Sequence, residues 1–118
     1  MDREAVRALC RGLTGASEEF PFGPTAAVFK VGGKVFAILS QDDRPGSISV
    51  KCDPGYAQAL REEYPAVSAG YHLDKRHWNT VQLDDSVPDE LLAEWVRDSH
   101  ALVVAGLTRA QRAAFSDS

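Results

Sequence analysis

The feature that most constrains this chain is a pair of glycines set between two β-rich runs. Ala26–Val31 and Lys34–Leu39 flank Gly32-Gly33, and a two-residue link free to take positive φ at both positions is a hairpin turn. An antiparallel strand pair is thereby committed in the first third of the chain. The next run, Ser47 to Cys52, alternates strictly, with Ile48, Val50 and Cys52 on one face and Ser47, Ser49 and Lys51 on the other. Such a strand is buried on one side only. Between them, residues 41–46 are polar and end in a Pro45-Gly46 turn.

Helical spacing surrounds these strands. Val6, Leu9, Cys10 and Leu13 recur at i, i+3, i+4 and i+7, with Asp2 placed to cap and Gly12 or Gly15 to stop the helix. Phe20-Pro21-Phe22-Gly23-Pro24 has two prolines and a glycine, so it reads as a fixed linker with two aromatic anchors. Asp53-Pro54 is a strong helix start, Ala57, Leu60 and Tyr64 form the apolar stripe, and Pro65 ends it. Further strands are expected around Tyr71 to Leu73 and over Trp78 to Leu83. Pro88 opens the longest helix, with Leu91, Leu92, Trp95, Val96, Ser99, Leu102 and Val103 at helical spacing and Gly106 at its close. Thr108 to Phe115 adds a short helix, and the tail frays from about residue 116.

The expected order is α-β-β-β-α-β-β-α. Hairpins without βαβ alternation favour a two-layer α+β fold, a single antiparallel sheet of about five strands with helices mainly on one face. At 118 residues the chain is expected to be one domain, residues 1–118. No apolar run approaches the roughly 20 residues of a membrane span, and no secretory signal opens the chain. A cytoplasmic protein without membrane contact is expected, with Cys10 and Cys52 as reduced thiols.

Several stretches resemble the MmcQ/YjbR family, also described as CyaY-like. They are Phe20-Pro21-Phe22-Gly23, residues 28–34, and Lys51-Cys52-Asp53-Pro54. The longest is the run from Gly70 to Thr80, followed by Val87-Pro88-Asp89. The resemblance implies a fold similar to secretion chaperones. It also implies a DNA-binding label, founded on wing-like hairpins. It brings no catalytic residue and no cofactor.

The residues themselves point to a binding surface. Lys75-Arg76-His77 precede Trp78, a combination that neutralises phosphate and stacks a base. In a strand from Trp78 to Leu83, Val81 and Leu83 face the core with Asn79, while Trp78, Thr80 and Gln82 face away from the helices. Lys30, Lys34 and Lys51 are candidates to join that surface. The structural alternatives are a solvated Lys75-Arg76 turn, an edge-packed Trp78, and hairpin lysines that block edge pairing.

The net charge of −4 argues against strong nucleic-acid binding. The acidity is concentrated late: residues 81–118 carry three basic and seven acidic groups, whereas residues 30–80 carry seven and six. Asp89, Glu90, Glu94 and Asp98 decorate the outer face of the long helix, where the first two suit its dipole. His72, His77 and Asp74 are too few and too loosely spaced for a metal site, and His100 reads as structural. Asp84-Asp85 reads as a turn, and the glycine and serine motifs of common enzymes are missing.

A non-enzymatic binding domain is therefore expected, contacting DNA through Lys30, Lys34, Lys51, Lys75, Arg76, His77, Trp78 and Thr80. The alternative is a protein-interaction or dimerisation module using the same face. An enzyme with a pocket near His72 and His77 is the third reading.

Overall fold

The structure, a computed structural model, describes residues 1–40, 45–70 and 73–116. Asp2 starts α1 (Arg3–Arg11) by accepting the Ala5 N–H at 2.9 Å. Then follow β1 (Ala16–Glu19), β2 (Ala26–Val31), β3 (Lys34–Ser40) and β4 (Ser47–Lys51). Next are α2 (Pro54–Glu63), β5 (Val67–Ala69), β6 (Trp78–Gln82), α3 (Asp89–Ala105) and α4 (Arg109–Ser116). The six strands form one antiparallel sheet in the order β1-β2-β3-β4-β6-β5.

Turn chemistry accounts for the hairpin. Gly32 and Gly33 take φ of 58° and 80°, the left-handed pair that a tight turn between twisted strands requires. Gly32 has a second reason to be glycine: a Cβ there would stand 2.6 Å from a Leu107 methyl. The β2–β3 register slips by one residue, so Phe36 is an extra residue bulged between Val35 and Ala37.

The expected register holds. Ile48, Val50, Val81 and Leu83 join Phe29, Phe36 and Leu39 in a core closed from one side by Val6 and Cys10 of α1, Leu60 of α2, and Leu92, Trp95 and Val96 of α3. Contrary to the one-sided burial expected of β4, its other face is buried too. Ser47 and Ser49 are 8% and 9% exposed, and Ser49 shares a hydrogen bond of 2.8 Å with Thr80 opposite it, small side chains that pack close in mid-sheet. The buried Ser99 hydroxyl fixes α3 across β3 and β4: it donates to the Phe36 carbonyl at 2.6 Å and accepts the Lys51 N–H at 2.8 Å. It thereby serves two backbone groups beyond the last β3–β4 pair, Ala37 with Val50.

Three further expectations are corrected. The sheet has a sixth strand, β1, which carries no hydrophobic alternation. Its inward position is Glu18, only 13% exposed, whose carboxylate is bound by Arg11 at 2.5 Å and approached by Arg7 at 3.4 Å. An inward charge on an edge strand blocks edge-to-edge association, and here α1 supplies the counter-ions. Phe20 and Phe22 do not anchor the linker: they are 46% and 75% exposed. The strand expected around residues 71–73 lies earlier, as β5. Leu73 is outside it, and Tyr71 and His72 fall outside the described residues.

Cys10 and Cys52 are both free thiols, the first buried and the second half-buried. His100 is structural, edge-on to Phe36 with centroids 5.1 Å apart and bonded to the Thr14 carbonyl at 2.8 Å. No helix among the described residues is long and apolar enough to cross a membrane.

Candidate functional site

Strand register decides where the scattered basic residues go. Val31 pairs with Lys34 at the hairpin tip, Ala37 pairs with Val50, and Lys51 pairs with Trp78. Lys30, Lys34, Lys51 and Trp78 therefore sit at one end of the sheet, together with the turn that carries Lys75, Arg76 and His77. From β2 to β6 is three strand spacings, about 14 Å. Lys51 and Trp78 are half-buried and side by side on the helix-free face, whereas Lys34, Lys75 and Arg76 are exposed.

The turn is held by its own backbone. The Asp74 carboxylate accepts the Arg76 N–H at 3.0 Å, and the Asp74 carbonyl accepts the N–H groups of His77 and Trp78 at 3.1 and 2.9 Å. The His77 carbonyl accepts the Cys52 N–H at 2.6 Å, tying the turn to the end of β4. From α2, Arg61 donates to the Asn79 side chain at 2.6 Å and to the carbonyls of Trp78 and Lys75. The polar groups that build the turn are satisfied internally, so the Lys75 and Arg76 side chains are directed outward.

Not every nominated residue is equally available. Lys30 is paired with Glu19 at 3.0 Å, and Thr80 is buried with its hydroxyl engaged by Ser49. His77 stands 4.0 Å from Asp74. Asp74 belongs to the same turn, while Asp98 is carried by α3 on the helical side. Asp84-Asp85 is a turn: Ser86 donates to Asp84 from its N–H at 3.0 Å and its hydroxyl at 2.6 Å, which holds that carboxyl below its ordinary range.

A second feature had no signal in the sequence. A cavity of about 360 Å³ opens between α2 and α3, on the side of the sheet opposite to Trp78. Residues from β4, α2, β6 and α3 line it, which no local motif brings together. The pocket envisaged near His72 and His77 is not the cavity found: neither His77 nor Asp74 lines it.

The family model described as YjbR matches residues 11–102, most of the chain, which takes in all six strands, α2 and most of α3 but leaves out α4 and all of α1 except its last residue. The chain belongs to the YjbR family. This YjbR domain is 31% identical to the uncharacterized protein YjbR of Escherichia coli strain K12, over 87% of each chain. It is 38% identical to the uncharacterized protein YbdF of Escherichia coli O157:H7, over 76% of this chain and 74% of that one. Among solved structures, the Deinococcus radiodurans protein DR2400, a DUF419 domain, superposes with a TM-score of 0.89 at 38% identity. That match covers 98% of the YjbR domain and 88% of the other chain. A protein from Pseudomonas syringae superposes with a TM-score of 0.73 at 25% identity, over 84% and 96%. The open-sheet α+β fold is thus shared with these solved structures.

Proposed function

We propose that this YjbR domain is a non-enzymatic binding domain that contacts nucleic acid through the basic end of its sheet. The observation that carries the reading is the pairing of Lys51 with Trp78, flanked by the exposed Lys34, Lys75 and Arg76. Cations bind the phosphates, and an aromatic face beside them stacks a base with little regard to its identity. The acidic outer face of α3 lies on the other side of the sheet, so a polyanion approaching the Trp78 side meets the least repulsion. With a net charge of −4 the contact is weak and confined to low ionic strength.

The test is a salt titration of fluorescent single- and double-stranded oligonucleotides. Lys75→Ala and Arg76→Ala should each flatten the slope of log K against log[salt] by about 0.7–0.9. Trp78→Ala should instead cost roughly 1–3 kcal/mol per stacked base with little change in slope. Absence of binding by wild type at low salt transfers the surface to a second reading, protein contact or self-association. The exposed rings of Phe20 and Phe22 lie at the other end of the sheet, beyond the Glu19–Val28 pair, and offer a separate apolar surface for such contact.

A further inference from the structure

The cavity between α2 and α3 exists because the two helices are pinned to different strands. Ser99 holds α3 over β3 and the end of β4. Asn79 and Arg61 hold α2 over β6, with the Asn79 amide donating to the Ala57 carbonyl at 3.2 Å. A brace fixes the spacing: the Trp95 indole N–H donates to the Tyr56 hydroxyl at 3.3 Å, and Tyr64 meets Trp95 edge-on at 5.5 Å. The α3 residues facing the gap beside the brace include Ala101 and Ala105, whose methyl groups are too short to fill it. A volume of about 360 Å³ lies within the range of roughly 300–1,000 Å³ typical of small-molecule pockets.

The lining has a definite chemistry. Val50, Val81, Leu60 and Leu102 make an apolar wall, and Tyr56 and Trp95 add aromatic surface. The side-chain charges at the mouth are carboxylates. Asp53 spends its own on the N–H groups of Gly55 and Tyr56, whereas Asp98 is exposed and enters no ion pair among the described residues. Lys51 reaches the cavity through its backbone, since the alternation that turns Val50 toward the helices turns the Lys51 side chain to the other face. Cys52, on the Val50 face, completes the rim. Its thiol is pushed above the ordinary thiol range by burial first and by Asp53 and Asp98 next, against a smaller lowering by the Arg61 guanidinium, so it is a neutral wall group at pH 7.

We propose that this cavity binds a small organic cation, an ammonium group carried on a compact apolar or aromatic body. The body occupies the Val50–Val81–Leu60 wall, and the ammonium lies at the mouth beside Asp98 and the aromatic rings. This site is independent of the nucleic-acid surface, which lies on the opposite face of the sheet.

The structure supplies its own reporters. The chain has two tryptophans, and Trp78→Phe leaves Trp95 as the single emitter inside the cavity. Cys10 is fully buried, so alkylation of the folded protein reads Cys52. The probes are 2-phenylethylammonium, 2-phenylethanol and 3-phenylpropionate, which share a ring and differ in charge. Titrated to millimolar concentrations, the ammonium should perturb Trp95 emission and protect Cys52 at the lowest concentration. Asp98→Asn should weaken the ammonium about two- to fivefold, as expected for an exposed charge contact, and leave the alcohol unchanged. Ala101→Trp should fill the cavity and abolish binding of all three. A failure of every probe to perturb Trp95 or protect Cys52 in the Trp78→Phe protein overturns the proposal. Equal or tighter binding of the carboxylate overturns it as well.

Discussion

Arg61 Nε donates to Asn79 Oδ1 at 2.6 Å, and the same guanidinium reaches the carbonyls at both ends of the Lys75–Trp78 turn. One side chain of α2 therefore positions the basic turn from behind. Arg61→Met keeps most of the stem but strands a buried amide oxygen and frees two carbonyls. A loss of about 1.5–3 kcal/mol is expected, the range for hydrogen bonds to a charged group. Hydrogen exchange should quicken most at the amides of His77 and Trp78. Unchanged exchange there would show that the turn holds itself.

Ser99 does for the β3–β4 edge what Arg61 does for the turn. Ser99→Ala leaves the Lys51 N–H and the Phe36 carbonyl without their partner in a dry setting, at a cost of about 1–3 kcal/mol. Denaturant unfolding measures it. A variant as stable as wild type would mean that water reaches both groups.

The two tryptophans should separate cleanly in stability. Trp95 is 4% exposed and braces α2 against α3, so Trp95→Ala should cost about 3–5 kcal/mol. Trp78 is half-buried at the end of the open face, and its truncation should cost much less. Comparable losses in the two thermal midpoints would contradict this assignment.

Cys10 carries a pH dependence with a definite sign. Burial, aided by the Glu18 charge, pushes its thiol from 9.0 up to about 12 in the folded chain. The folded state therefore keeps its proton while the unfolded state loses it. The stability is fully present below about pH 9 and is lost as pH rises toward 12. Across that window Cys10 contributes a slope of up to about 1.4 kcal/mol per pH unit. Cys10→Ala should remove that share of the slope, whatever its effect on stability at neutral pH. Parallel wild-type and variant curves between pH 9 and 11 would refute it.

The fold was largely legible because its elements announce themselves locally. Gly32-Gly33 names the hairpin, Ser47–Cys52 names its own buried face, and Asp53-Pro54 names the start of α2. What escaped depended on distant partners. β1 is a strand because its backbone pairs with β2, with Arg7 and Arg11 of α1 accommodating its inward Glu18, and no pattern within residues 16–19 shows that. β5 is only three residues long, too short for alternation to register. Phe20 and Phe22 look like anchors in any hydrophobicity scale and are exposed in fact. The basic end of the sheet was nominated residue by residue, but its convergence depends on the pairing of β4 with β6, which skips α2 and β5. The cavity was invisible for a related reason: it is the space left between helices anchored to different strands.

The central claim is that the Lys51–Trp78 end of the sheet is the nucleic-acid surface, and amide chemical-shift mapping tests it most directly. A short single-stranded oligonucleotide is titrated into labelled protein at low ionic strength. Shifts confined to Lys34, Lys51 and residues 75–78, with α3 unmoved and reversal on adding salt, are the predicted result. Shifts centred on α3 or on the Phe20–Phe22 loop, or none at all, would contradict it.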